Sequence, residues 1–167
     1  KGNRVAIASM TGAGCVMAAD YSPEYGLEVA PLSDRTVKYI ESYLPSWIKV
    51  RNPFDTEMLF ESVGPEDALR ISLGGMLEDE NIDCAITVLP TSPMFTFDIQ
   101  GVASEIRKKL PDKPFVVNII GAKDMVELWT KQLEECSVPV YPSIERCVRA
   151  LAALSKYPKI SSRLASN

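Results

Sequence analysis

Apolar residues fall along this chain in two kinds of run. Short stretches at Val5–Ser9, Leu27–Pro31, Cys84–Leu89, Phe115–Ile119 and Val138–Tyr141 place apolar or β-branched residues at consecutive positions. Runs of that kind predict strands, and Cys84-Ala-Ile-Thr-Val-Leu89 and Phe115-Val-Val-Asn-Ile-Ile120 read as strands covered on both faces of a parallel sheet. Between the runs, helical periodicity predicts helices at about 15–25, 34–44, 65–78, 97–109, 123–135 and 143–155. The punctuation agrees. Ser33 before Asp34 can cap one helix, Pro65-Glu66-Asp67 opens another with proline and acids, and Ser143 begins the last, whose Val148, Leu151, Ala152 and Leu154 form an apolar face.

Strand–helix alternation predicts an α/β domain: three layers around a doubly wound parallel sheet, flavodoxin-like, with strand order 2-1-3-4-5 and right-handed crossovers. The pattern covers residues 1–157, and the remaining 158–167 depart from it as a linker or an artificial end. A length of 167 residues suits one domain with a substantial core, not two. Hydrophobic residues at 46% and charged residues at 24% argue against disorder. The net charge of −4, with no basic tract, disfavours nucleic-acid and anionic-membrane partners. No apolar run is long enough to span a membrane and no signal-type segment opens the chain, so the expected location is cytoplasmic.

The candidate chemistry lies where the first strand ends. Thr11-Gly12-Ala13-Gly14 is a small-residue turn followed by Cys15-Val-Met-Ala-Ala19, so a strand breaks at glycines and restarts as a helix. Such a turn aims free backbone N–H groups and the positive end of a helix dipole at one point, which suits a phosphate. The bland alternative is that the glycines only let strand and helix pack closely. Cys15, in the first helical turn, is either an activated thiol or a small apolar residue, and the second is preferred. A second, weaker candidate is the loop Asn52-Pro53-Phe54-Asp55, where Asn52 and Asp55 either support a ligand or make a turn and an N-cap. Glu78-Asp79-Glu80 reads as a solvated turn. The tyrosines and Trp47 and Trp129 read as packing or interface residues, because no basic residues interleave with them.

The four cysteines, at 15, 84, 136 and 147, lack metal-type spacing, and the chain has no histidine at all. No metal site is expected. Nor is imidazole acid–base chemistry, which excludes Ser-His-Asp and Cys-His catalysis within this chain.

Five elements in order carry a resemblance. They are Lys1-Gly-Asn-Arg-Val-Ala-Ile7, Thr11-Gly-Ala-Gly14 with Ala18-Ala-Asp20, Gly26-Leu-Glu with Leu32-Ser33, Asn52-Pro-Phe-Asp55, and Val138-Pro-Val-Tyr-Pro-Ser-Ile-Glu-Arg-Cys-Val-Arg-Ala-Leu-Ala-Ala-Leu154. Together they resemble the second flavodoxin-like (CoA-ligase) domain of the NDP-forming acyl-CoA synthetases, relatives of succinyl-CoA synthetase.

The resemblance implies a component of a multi-domain acid–thiol ligase that works through an acyl phosphate and a phosphohistidine. The histidine belongs to a preceding CoA-ligase domain, within a Ser-His-Thr-Gly-like segment, and moves between that site and an ATP-grasp domain. Thr11, Gly12, Ala13, Gly14 and Cys15 then form the helix N-terminus that docks it, with Asn52 and Asp55 as a supporting loop. No catalytic residue of its own and no tightly bound cofactor are implied here; CoA, ATP/ADP and Mg belong to the parent enzyme, and a homo-oligomer is left open. The family loop is richer in glycine than Ser9-Met10-Thr11-Gly12-Ala13-Gly14, which keeps a second reading in view: a non-catalytic acyl-CoA scaffold or sensor. A flavin-binding module ranks below it, because the turn lacks a run of hydroxyl residues.

Overall fold

The computed structural model describes residues 2–93 and 96–165, the last eight as backbone alone. Its elements are β1 (Arg4–Ser9), α1 (Gly12–Tyr25), β2 (Glu28–Val29), α2 (Asp34–Glu41), β3 (Phe54–Asp55), α3 (Glu57–Val63), α4 (Pro65–Leu69), a π-helical turn (Arg70–Gly74), α5 (Gly75–Glu78), β4 (Cys84–Thr91), α6 (Ile99–Lys109), β5 (Phe115–Gly121), α7 (Lys123–Glu135) and α8 (Ile144–Ala165).

The sheet is parallel, in the order β2-β1-β4-β5, with β3 also pairing β1. Beyond β5, Val140 makes a single parallel bridge to Val117. Val138–Tyr141 therefore takes its expected place beside β5, reduced from a strand to one bridge; Pro139 has no N–H to extend the ladder. The flavodoxin-like order is otherwise the expected one. Alternate side chains on the central strands feed two cores. Val5, Ile7, Cys84, Ile86, Val88 and Val116 pack under α1 and α8, while Ala6, Ala8, Ala85, Leu89, Val117 and Ile119 pack under α2 to α7. The period of two along each buried strand separates the layers.

Three differences from the sequence reading concern the site's surroundings. The second strand shortens to Glu28–Val29, because β3 takes over the same edge of β1 further along, opposite Ala8 and Ser9. The helix α3, absent from the predicted helices, follows directly after β3. Residues 158–165, read as linker, continue α8 as backbone helix; Ser166 and Asn167 lie outside the described residues, as does Lys1. Among the described side chains of α8, which end at Tyr157, the last buried are Leu151 and Ala152. No described helix is long and apolar enough to cross a membrane.

Asp79 corrects another expectation. In place of a solvated turn, its carboxylate is buried and accepts hydrogen bonds from Ser33 N–H (2.8 Å), Ser33 Oγ (2.9 Å) and Asn81 N–H (2.9 Å). It ties the end of α5 to the start of α2. Trp129 packs edge-on against Phe97 in the core, whereas Trp47 is 70% exposed.

Candidate functional site

The turn after β1 is braced before it presents anything. Ser9, fully buried at the end of the strand, donates from Oγ to Thr11 O (2.8 Å) and accepts from Thr11 N–H (3.1 Å). Met10 N–H bonds Val88 O of β4 at 3.0 Å. Thr11 is the N-cap of α1: its backbone is extended (φ −140°, ψ 134°), and its Oγ1 accepts Gly14 N–H at 3.1 Å. Cys15 N–H makes the first helical bond, to Thr11 O at 3.2 Å.

These bonds sort the five predicted anchor residues. The amides of Gly14 and Cys15 are consumed by the cap and the helix. Those of Gly12 and Ala13 have no partner among the described residues, and both residues are exposed. The two free N–H groups lie at the positive end of a 14-residue helix that carries no acid in its first turn. Outside them, Val16 (59% exposed) and Met17 (45%) turn apolar side chains to solvent on the next stretch of α1.

The glycines divide in the same way. A Cβ on Gly14 would lie 2.3 Å from Ser9 Oγ and 3.2 Å from Val88 Cγ1, so Gly14 is there for close packing of helix on strand. A Cβ on Gly12 would meet only Asp55 Oδ2, at 3.3 Å.

Cys15 is buried behind the turn. Burial, with the nearby Asp55 charge, pushes its thiol up to about 11 against an opposing hydrogen bond with Ser9. It is a neutral thiol at neutral pH. Cys84 and Cys147 are pushed up to about 12, in both cases chiefly by burial.

Asn52 and Asp55 have separate surroundings. The Asn52 amide stands in for a missing piece of strand along β1: Oδ1 accepts Ile7 N–H at 2.9 Å, and Nδ2 donates to Val5 O and Ala30 O, both at 2.8 Å. It bridges the gap between β2 and β3. Asp55 faces the turn, as the register of β3 pairs it with Ser9. Its Oδ1 accepts Glu57 N–H at 3.1 Å, starting α3, and its Oδ2 looks toward Gly12. The sequence reading overlooked Ser9, Val88 and the exposed pair Val16 and Met17. Only Ser9 left a signal, as a hydroxyl closing an apolar run.

The turn lies on the central strand β1, beside the reversal of strand order at β1–β4, where crevices beyond the strand ends receive ligands in doubly wound sheets. Among the described residues no group of three or more Cys, Asp or Glu is placed to hold a metal ion. Fold and turn thus define a doubly wound α/β domain with two free amides at its order reversal.

No protein-family model matches the chain. It is 32% identical over 159 residues to acetate–CoA ligase [ADP-forming] II of Archaeoglobus fulgidus, covering 95% of this chain and 23% of that protein. It is also 32% identical over 163 residues to the alpha subunit of acetate–CoA ligase [ADP-forming] II of Pyrococcus furiosus, covering 95% of this chain and 35% of that subunit. A crystal structure from Pyrococcus horikoshii OT3 superposes with TM-score 0.80 at 26% identity, over 95% of this chain and 36% of that one. A Ca. Korarchaeum cryptofilum dinucleotide-forming acetyl-coenzyme A synthetase 1, in complex with phosphate and ADP, has the same fold at 19% identity (TM-score 0.81, 99% of this chain and 35% of that one). The chain is a relative of the NDP-forming acyl-CoA synthetases and has the fold of their CoA-ligase domains. It spans about a quarter to a third of the length of the relatives it matches.

Proposed function

We propose that this chain is a component domain of an NDP-forming acyl-CoA synthetase, and that the start of α1 docks a phosphohistidine carried by another domain. The observation that carries the reading is the pair of N–H groups on the exposed residues Gly12 and Ala13, without a partner among the described residues, at the positive end of α1. A phosphoryl group on an imidazole is an anion with no side-chain chemistry to be done on it, only positioning and charge stabilisation. Fixed amides do that without offering an acid to the labile P–N bond. The chain has no histidine, so the phosphorylated residue must come from outside it. The histidine-bearing CoA-ligase domain and an ATP-grasp domain are the proposed partners. Acid, CoA, nucleotide and Mg are handled there, and this domain alone turns over nothing.

A substitution can remove one amide without disturbing the fold. Thr11 is extended, as the residue before a proline must be, and Gly12 is the first helical position, where proline is favoured. Gly12→Pro therefore deletes one donor and keeps the helix. In the parent enzyme it should lower phosphohistidine turnover by roughly tenfold or more, measured by rapid quench of the labelled histidine. Undiminished turnover would remove the turn from the mechanism. Gly14→Asp is unsuitable for the purpose, since a side chain there collides with Ser9.

A further inference from the structure

The sheet is unfinished at the start of β5, at the opposite end from the turn after β1. Val117 N–H donates to Pro139 O (3.0 Å) and Val117 O accepts Tyr141 N–H (2.9 Å), the bridge that seats residues 138–141 beside β5. Continued two residues back, a parallel ladder would give Phe115 O the N–H of residue 139, and Phe115 N–H the carbonyl of residue 137. Pro139 has no N–H, and Ser137 sits at φ 60°, off the path of a strand. On the other side of β5, Ala85 N–H bonds Pro114 O (3.1 Å), so Phe115 N–H points away from β4. It has no partner among the described residues.

Phe115, Ser137 and Pro139 line a cavity of about 450 Å³ between the start of β5 and the second half of α8. That is a size in which small ligands are held. Tyr141, Leu151, Leu154 and Tyr157 give it apolar walls, and Leu154 and Tyr157 are 49% and 65% exposed. Arg107, near the end of α6, is the only charged side chain among the described residues that line it. Its hydrogen bond to Pro111 O is long, at 3.4 Å, and it makes no ion pair among the described residues. The guanidinium therefore keeps most of its donors open.

A cation and a backbone N–H are both donors, and together they suit an anionic acceptor. One unpaired charge matches one negative charge, and apolar walls disfavour a strongly hydrated ion without an apolar body. We propose that this cavity binds a fatty-acid-type ligand, a single carboxylate on an apolar chain. Arg107 supplies the counter-charge, Phe115 N–H a second donor, and Leu151, Leu154 and Tyr157 the surface for the chain.

The test titrates the 167-residue chain with octanoate and with its neutral analogue octanamide, following the amide resonance of Phe115. Octanoate should bind roughly tenfold more tightly than octanamide and shift that resonance, since a charge-assisted bond is the stronger one. Arg107→Gln should erase the difference and leave octanamide unchanged, while Arg107→Lys should keep much of it. Leu154→Asp, at an exposed position, should weaken both probes and octanoate more. Equal affinities for the two probes, or octanoate binding unaltered in Arg107→Gln, overturns the proposal. So does a concentration-dependent dimer in sedimentation that Leu154→Asp returns to monomer and octanoate leaves intact, because a second copy then covers the cavity.

Discussion

Two glycines two residues apart do different work, and the distinction is measurable. Gly14 is held against Ser9 and Val88, so Gly14→Ala should destabilise the protein by about 1–3 kcal/mol as the strand and helix are forced apart. Gly12→Ala should stay within about 0.5 kcal/mol, its Cβ meeting only an exposed carboxylate that can move. Urea denaturation of the two variants checks both. Asn52 is the most consequential polar residue outside the turn. Asn52→Ala leaves Ile7 N–H and the Val5 and Ala30 carbonyls without their partner, at a cost of about 2–4 kcal/mol. Asn52→Asp should cost more, since it keeps the acceptor but sets a charge against two carbonyl oxygens. The cysteines make a chemical prediction. Cys15, Cys84 and Cys147 are buried neutral thiols, and Cys136 is the more accessible of the four. Alkylation of the native protein at pH 8, followed by mass spectrometry, should modify Cys136 first; fast labelling of Cys15 would contradict its burial.

Among the elements, the junction of α5 and α2 carries a pH dependence. Burial raises the Asp79 carboxyl, but the hydrogen bonds from Thr36, Asn81 and Ser33 outweigh it and hold it below the ordinary 3.8. Asp83 is likewise held low, first by its hydrogen bond with Arg4, against the opposing effect of burial. A carboxyl lower in the folded than in the unfolded chain binds its proton later on acidification. Its stabilisation is complete above the unfolded value and is lost as pH falls through the folded one. Wild-type stability should therefore fall steeply below about pH 4. Asp79→Asn should be less stable at pH 7 by about 1–2 kcal/mol yet flatter in acid, as read by thermal unfolding across pH. An equal acid slope in the variant would assign the loss to other carboxyls. The same scale shows why part of the site was hidden in the sequence. β1 and α1 are legible because a six-residue apolar strand and a capped helix follow their own periodicities. β3 is two residues long and exists only because Ser9 is beside it, so Asn52 and Asp55 read equally as turn residues until the register is known.

At the scale of the molecule, the last buried side chains of α8, among those described up to Tyr157, are Leu151 and Ala152. A chain ending at Tyr157 should keep its melting temperature within a few degrees, which would support a domain of residues 1–157; a large fall would give the rest of α8 a structural role. The alternation of strands and helices was sufficient to predict three layers and the order of the long strands, because burial on both faces demands consecutive apolar residues and parallel pairing demands crossovers. The amino-acid sequence by itself also determined that no imidazole chemistry belongs to this chain, and that glycines follow the first strand. Only the tertiary structure decided which of them serves packing, which amides remain free, and that an acid forty-three positions after Gly12 faces the same helix end. Those facts depend on strand register and on which hydrogen bonds the cap has already taken. Neither is local to any stretch of sequence.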